Sequence, residues 1–191
     1  MSIVMDRVSK SFGERRVLRE VSLALPDAGA VCLMAPSGAG KTTLARILLG
    51  LETPDAGTVA GVPARTAAVF QEDRLCERLT VCKNIRIACP RLSPQAVQAH
   101  LDEVGLSEYL RAPAGKLSGG QKRRAAIVRA VAADPAFLVL DEPFTGLDEE
   151  THARVIEYLR ARTAGRSVLL ITHDPRDAEA LGAKTMALSA E

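Results

Sequence analysis

Nine consecutive residues, Ala35-Pro-Ser-Gly-Ala-Gly-Lys-Thr-Thr43, hold the chemistry of a phosphate site. The pattern A-x-x-x-x-G-K-T requires a backbone that curls closely around an anion and turns successive N–H groups inward. Gly38 and Gly40 allow that curl where a Cβ would obstruct it, with Ser37 and Ala39 completing the loop. A helix starting at the lysine adds its own N-terminal N–H groups. Lys41 is placed to reach the β- and γ-phosphates of a nucleotide, Thr42 to hold Mg2+ through its hydroxyl, and Thr43 to bond the α-phosphate.

A second constellation lies a hundred residues on. Phe137-Leu-Val-Leu140 runs straight into Asp141-Glu142-Pro143. Four apolar residues ending in two carboxylates read as a buried parallel strand delivering them at its C-terminal edge, where ligands of open α/β sheets bind. Asp141 suits Mg2+, directly or through water. Glu142, one residue on and pointing differently, suits orienting or deprotonating an attacking water. Pro143 stops the strand ladder. An isolated Asp-Glu-Pro triplet is most simply a charged strand end in solvent. The upstream phosphate loop and the downstream Thr145-Gly-Leu-Asp148 favour catalysis.

Elements must place these groups. Residues 2–9 and 16–25 read as two strands about the turn Ser11-Phe12-Gly13-Glu14, with Val17, Val21, Leu23 and Leu25 on one face. Pro26, Asp27 and Gly29 break the pattern, and Val31-Cys-Leu-Met34 is a short buried strand entering the phosphate loop. Leu44, Ile47, Leu48 and Leu51 then recur at helical spacing, with Gly50 near the helix end. Ala67-Ala-Val-Phe70 ends at Gln71, and Ser167-Val-Leu-Leu-Ile-Thr172 ends at His173. Val81, Ile85 and Ile87, then Val97, Leu101, Val104 and Leu106, mark further helices interrupted by Pro90 and Pro94.

Composition bounds the rest. A chain of 191 residues can bury one sizeable core. Its 25 basic and 23 acidic residues leave a net charge of +2, which points to neither nucleic acid nor an anionic membrane. No signal peptide and no apolar run long enough to span a bilayer is present, so a soluble cytosolic chain is expected. Cys32, Cys76, Cys82 and Cys89 match no zinc or CxxC spacing and are expected to be reduced and mostly buried. The basic run Lys122-Arg123-Arg124 reads as a partly solvated helix face, and His100 and His152 as exposed helix residues.

Leu117-Ser-Gly-Gly-Gln121, between the phosphate loop and the acidic strand, resembles the signature of ATP-binding cassette (ABC) ATPases. With Gln71 and His173 in order, the resemblance covers essentially the whole chain. It implies an α/β P-loop NTPase with a mainly parallel core sheet, a small antiparallel β subdomain and an inserted α-helical subdomain. The single domain 1–191 then divides into a catalytic core with β subdomain, 1–71 and 134–191, and a helical subdomain over about 72–133 that includes the signature.

The resemblance also implies roles. Two cassettes face each other head to tail, each ATP lying between the phosphate loop of one and the signature of the other. Ser118, Gly119, Gly120 and Gln121 open a helix expected over Gly120–Ala133, whose N–H groups and dipole can face a γ-phosphate. Gln71 touches Mg2+ or the attacking water, Asp148 crosses the dimer interface, and His173 bonds the γ-phosphate. Phe12 falls where the family stacks an aromatic on adenine.

The implied cofactors are ATP and Mg2+, and the implied function is energy coupling in a multi-subunit transporter, with a non-transport, membrane-associated regulatory ATPase as the alternative. Expected partners are a second ATPase subunit, making a homodimer, transmembrane permease subunits and a substrate-binding protein, but no nucleic acid. The expected location is the cytoplasmic face of the inner membrane. Glu72-Asp-Arg-Leu75 and Leu79-Thr-Val81 resemble importers of the nitrate, sulfonate and taurine group. Two departures stand out: Ala35 replaces the commoner glycine, and the short span from Gly57 to Gln71 trims the β portion. The end of the chain soon after a strand near Lys184–Leu188 implies no appended regulatory domain.

Overall fold

A computed structural model describes residues 2–36 and 38–187. Ser37 and Leu188 therefore lie outside the described residues. Two sheets carry the architecture. Strands β1 (Ile3–Phe12), β2 (Arg15–Leu25) and β4 (Ala56–Ala60) form an antiparallel sheet in the order β2-β1-β4. Strands β3 (Gly29–Met34), β5 (Thr66–Val69), β6 (Phe137–Asp141), β7 (Ser167–Ile171) and β8 (Lys184–Ala187) form a parallel sheet in the order β5-β6-β7-β3-β8.

The parallel strands are apolar on both faces because both faces are covered. Period-two alternation divides them cleanly. Cys32, Leu138, Leu140, Val168 and Leu170 join a core shared with helices α2 (Val81–Ala88), α3 (Pro94–Glu103), α4 (Gly119–Ala132), α5 (Glu149–Thr163) and α6 (Pro175–Leu181). Val31, Leu33, Phe137, Val139, Leu169 and Ile171 face the other way, onto helix α1 (Lys41–Leu48) and the antiparallel sheet. Each side chain so buried contributes on the order of 1.5–3 kcal/mol.

Local chemistry sets the boundaries. Helix α1 stops where Gly50 takes φ 68°. Ser93 caps α3 by accepting from Ala96 N, and Pro94, which as a helix interrupter was expected to break the pattern, instead opens α3 at its first turn. Thr80 caps α2 through Lys83 N. The strands expected at 2–9 and 16–25 extend further, to 3–12 and 15–25, because the β1 and β2 registers run to the Phe12–Arg15 pair.

Three surface expectations need correction. Cys32 alone of the cysteines is buried; Cys82 and Cys89 are half-buried and Cys76 is exposed in the segment before α2. His100 is half-buried, its Nδ1 lying 2.9 Å from the Tyr158 hydroxyl between α3 and α5. His152 is also half-buried, packed between Phe144 and Asp177.

Candidate active site

Register in the parallel sheet assembles the site. Strands β3, β7 and β6 are adjacent and parallel, with Leu33 beside Ile171 and Ile171 beside Asp141. The segments leaving their C-terminal ends are the phosphate loop, Thr172-His173 and Glu142-Pro143. Residues far apart in sequence therefore emerge along one edge.

The loop is shaped by glycines in the left-handed region, Gly38 at φ 83° and Gly40 at φ 86°. At Gly40 space matters as well as dihedral. A Cβ there would come within 2.7 Å of Leu18 Cδ2 and 2.9 Å of the Val17 carbonyl, so the loop rests directly on β2. The Lys41 ammonium turns back to the Ala35 and Pro36 carbonyls, and no ion pair to it exists among the described residues. A cation held only by carbonyls remains available to an anion.

Beneath the loop, Thr42 Oγ1 donates to Asp141 Oδ2 at 2.7 Å. Asp141 is 1% exposed, and its Oδ1 is buried without a hydrogen-bond partner. Burial pushes this carboxyl above the usual aspartate range, against the opposing hydrogen bond from Thr42. A carboxylate oxygen without a partner, beside a hydroxyl, is a donor set for a hard divalent cation. No group of three or more His, Cys, Asp or Glu able to hold a metal ion exists among the described residues, so such a cation would complete its shell with water and phosphate oxygens.

Glu142 sits at φ 49°, a backbone conformation costly for a side chain other than glycine and frequent at functional sites. Its N–H donates to the Ile171 carbonyl at 2.8 Å, which fixes the turn off β6 to β7. The carboxylate then lies 3.0 Å from His173 Nδ1. The hydrogen bond to Glu142 raises the His173 pKa, since the acceptor favours the protonated ring. Glu142 is largely shielded while His173 is exposed. Both line a cleft of about 670 Å³ with Phe144, Gly146 and Asp174.

The signature segment forms a complete capping box. Ser118 Oγ accepts from Gln121 N, and Gln121 Oε1 accepts from Ser118 N. Helix α4 thus begins one residue earlier than expected. With both side chains committed to the cap, Gly119, which is exposed, and Gly120, which is half-buried, form the helix start. Gly120 lies close to the Gly146 carbonyl, and Asp148 caps α5 through Thr151 N at 2.9 Å. Phe12 ends β1 with its ring 48% exposed and the Lys10 ammonium 5.3 Å from its centroid. The following β2 residues Val17 and Leu18 support the phosphate loop.

Gln71 is exposed. Its carbonyl is held. Arg123 Nη1 and Nη2 donate to the Phe70 and Gln71 carbonyls, and Arg129 binds the Asp73 and Arg74 carbonyls. The basic run is therefore not simply a solvated face: Arg123 is buried, 6% exposed, and Lys122 pairs with Glu77 at 2.9 Å. Arg123, Ile127 and Ala130 recur at helical spacing and are all buried, a pattern that already places Arg123 inward. Asp177, joined to Thr172 and His152, was likewise not anticipated.

A glycine-lined phosphate loop, a Thr-Asp pair with a buried carboxylate, a Glu-His pair and a capped glycine helix start define a nucleotide-handling P-loop chain. Residues 18–145 match the ABC transporter family, and the chain belongs to that family as an ATP-binding member. It is similar to the aliphatic sulfonates import ATP-binding protein SsuB of Burkholderia thailandensis, 37% identical over 99% of this chain and 58% of that protein. It is similar also to such proteins of Paracoccus denitrificans, 37% identical over 98% of this chain and 79% of the relative, and of Rhodococcus jostii, 38% identical over 98% and 71%. The chain thus spans between 58% and 79% of the length of these relatives. A bacterial Atm1-family ABC exporter with ATP bound shares the fold, with a TM-score of 0.87 over 98% of this chain and 37% of that one, at 24% identity.

Proposed function

We propose that this chain is the ATP-hydrolysing, energy-coupling subunit of a bacterial ABC importer. The observation that carries the reading is the Thr42–Asp141 pair beneath the phosphate loop, with Glu142 one residue on and hydrogen-bonded to His173. In this reading the loop N–H groups of Gly38, Ala39 and Gly40, with Ser37 completing the cradle, hold the nucleotide's phosphates. Lys41 leaves its carbonyls for the β- and γ-phosphates, and Thr43 bonds the α-phosphate. Mg2+, bound by Thr42, Gln71 and Asp141, would supply charge neutralisation to the β- and γ-oxygens. Phe12 stacks on adenine.

Glu142 orients and deprotonates the attacking water. His173 holds that carboxylate in place and bonds the γ-phosphate. Two copies meet head to tail, so that Ser118, Gly119, Gly120 and Gln121 of one reach the nucleotide of the other and Asp148 crosses the interface. The helices over about 72–133 form an inserted subdomain that receives a permease, and Arg123 ties the signature helix to the Gln71 backbone. No helix among the described residues is long and apolar enough to cross a membrane. Attachment to the cytoplasmic face of the inner membrane would come through the permease, with a substrate-binding protein on the far side. The relatives named for aliphatic sulfonate import favour a small organic anion as cargo.

The test is recovery of tagged Glu142→Gln chain from detergent-solubilised membranes with ATP and Mg2+. An ATP-dependent dimer with a multi-span permease supports the reading. Normal turnover by this variant would refute the assigned base, and recovery only as a soluble dimer would refute the transporter role.

A further inference from the structure

Behind the Glu142–His173 pair lies a second polar chain. Asp177, 6% exposed on α6, uses both carboxylate oxygens: Oδ2 accepts from Thr172 Oγ1 at 2.6 Å, and Oδ1 lies 2.7 Å from His152 Nε2. That contact requires the Nε2–H form of His152, since a carboxylate accepts. Thr172, 1% exposed, accepts in turn from Asp174 N at 3.1 Å, closing the backbone around His173. On the other side the His152 ring meets Phe144 edge-on, with centroids 4.7 Å apart. The His152 backbone N–H also bonds the Asp148 carbonyl at 2.8 Å.

The chain Phe144–His152–Asp177–Thr172 thus spans from the turn that carries Glu142 to the turn that carries His173. All four residues line the same cleft as that pair. Burying a carboxylate is costly unless its oxygens are satisfied, and an apolar residue could fill the same space. The arrangement specifies geometry rather than volume.

We propose that Asp177 is a positioning residue, which sets His173 on Glu142 by holding Thr172 and His152 at fixed separation. The proposal rests on reading Glu142 and His173 as the reactive pair. Groups acting on His173 are Glu142, then Asp174 and Asp177; Asp174 is itself held low, at about 2, by Arg176.

Histidine titration by NMR on the full, nucleotide-free chain tests it. The three histidines are assigned by single His→Gln variants. Glu142→Gln should lower the His173 midpoint by exchanging its charged acceptor for a neutral amide. Asp177→Asn should reproduce at least half of that displacement. Thr172→Val removes one hydroxyl without changing charge, so it should also lower the midpoint if position, rather than the field of a lost carboxylate, is responsible. Should Asp177→Asn fail to fold, Thr172→Val carries the test alone. A His173 midpoint unchanged in Thr172→Val overturns the proposal. So does a midpoint that Glu142→Gln leaves unmoved, because then no pair exists to be positioned. Absence of ATP turnover in the wild-type chain would sink the functional reading yet leave these titrations interpretable.

Discussion

Thr42 Oγ1 donates to Asp141 Oδ2 at 2.7 Å and joins the first turn of α1 to the end of β6, ninety-nine residues away. The bond satisfies one carboxylate oxygen and leaves the other buried without a partner. The site therefore holds a desolvated charge that becomes favourable when a cation arrives.

Asp141→Asn tests that cost. Burial raises the Asp141 pKa in the folded chain, so the folded state binds a proton more readily than the unfolded one. Stability then falls as pH rises above the ordinary aspartate value of roughly 3.9. The asparagine variant should lack this slope and melt at a higher temperature than wild type at pH 7 without nucleotide. Its gain in ATP affinity on adding Mg2+ should fall by about 10–100-fold. A lower melting temperature together with intact Mg2+ dependence would show that Asp141 is a structural anchor only.

Arg123 is the second buried charge, and it bridges two segments. Its planar fork donates to the Phe70 and Gln71 carbonyls, with the Asp73 carboxylate 3.3 Å away. Arg123→Ala leaves two carbonyls without their donor and a half-buried carboxylate without its neighbouring cation, and should destabilise the chain by about 3–5 kcal/mol in a urea titration. Lysine should recover little, because one ammonium cannot match the fork. Amide exchange should rise over residues 70–76 in Arg123→Lys while the β6 and β7 amides remain protected. Uniform exchange throughout would contradict a local clamp.

The sequence announces some of these relationships and conceals others for definite reasons. Phe137–Leu140 and Ser167–Ile171 are legible because apolar runs bounded by breakers leave little alternative to buried parallel strands, and the structure buries every residue of both. The glycine loop is legible because its spacing encodes a backbone shape. Arg123 was hidden by reading Lys122-Arg123-Arg124 as one face, when neighbouring helical residues point in directions about 100° apart. Ile87 follows Ile85 by two residues, about 200° around the helix, and is 58% exposed, whereas Val81, Asn84 and Ile85 share the buried face. His152 and Asp177 are on separate helices, 25 residues apart. Only the packing of α5 against α6 makes them partners.

Gly38 and Gly40 offer a paired comparison. Both take φ above 80°, but a Cβ at Gly38 meets only the Arg15 guanidinium at 3.7 Å, whereas at Gly40 it collides with Leu18 and the Val17 backbone. Gly38→Ala should cost about 1 kcal/mol through its dihedral alone. Gly40→Ala adds overpacking of about 1–3 kcal/mol and should displace the loop, so its ATP affinity should fall further. Thermal melts and nucleotide titrations on the two variants decide this. Equal losses would mean that the loop yields around the new methyl group.

Phe12 separates stability from binding most sharply. Its ring is half exposed at the end of β1 and contributes little to either core, so Phe12→Ala should leave the urea midpoint close to wild type. If the ring stacks on adenine, the lost contact is worth about 1–3 kcal/mol, or roughly five- to 150-fold in ATP affinity. Phe12→Tyr should keep most of that affinity because it preserves the aromatic face. The phosphate chemistry lies elsewhere, so Phe12→Ala at saturating ATP should turn over near the wild-type rate. An alanine variant that binds ATP normally would remove Phe12 from the site, whereas one that loses turnover at saturation would place the ring's effect on the phosphate loop, which the β1–β2 hairpin supports at Val17 and Leu18.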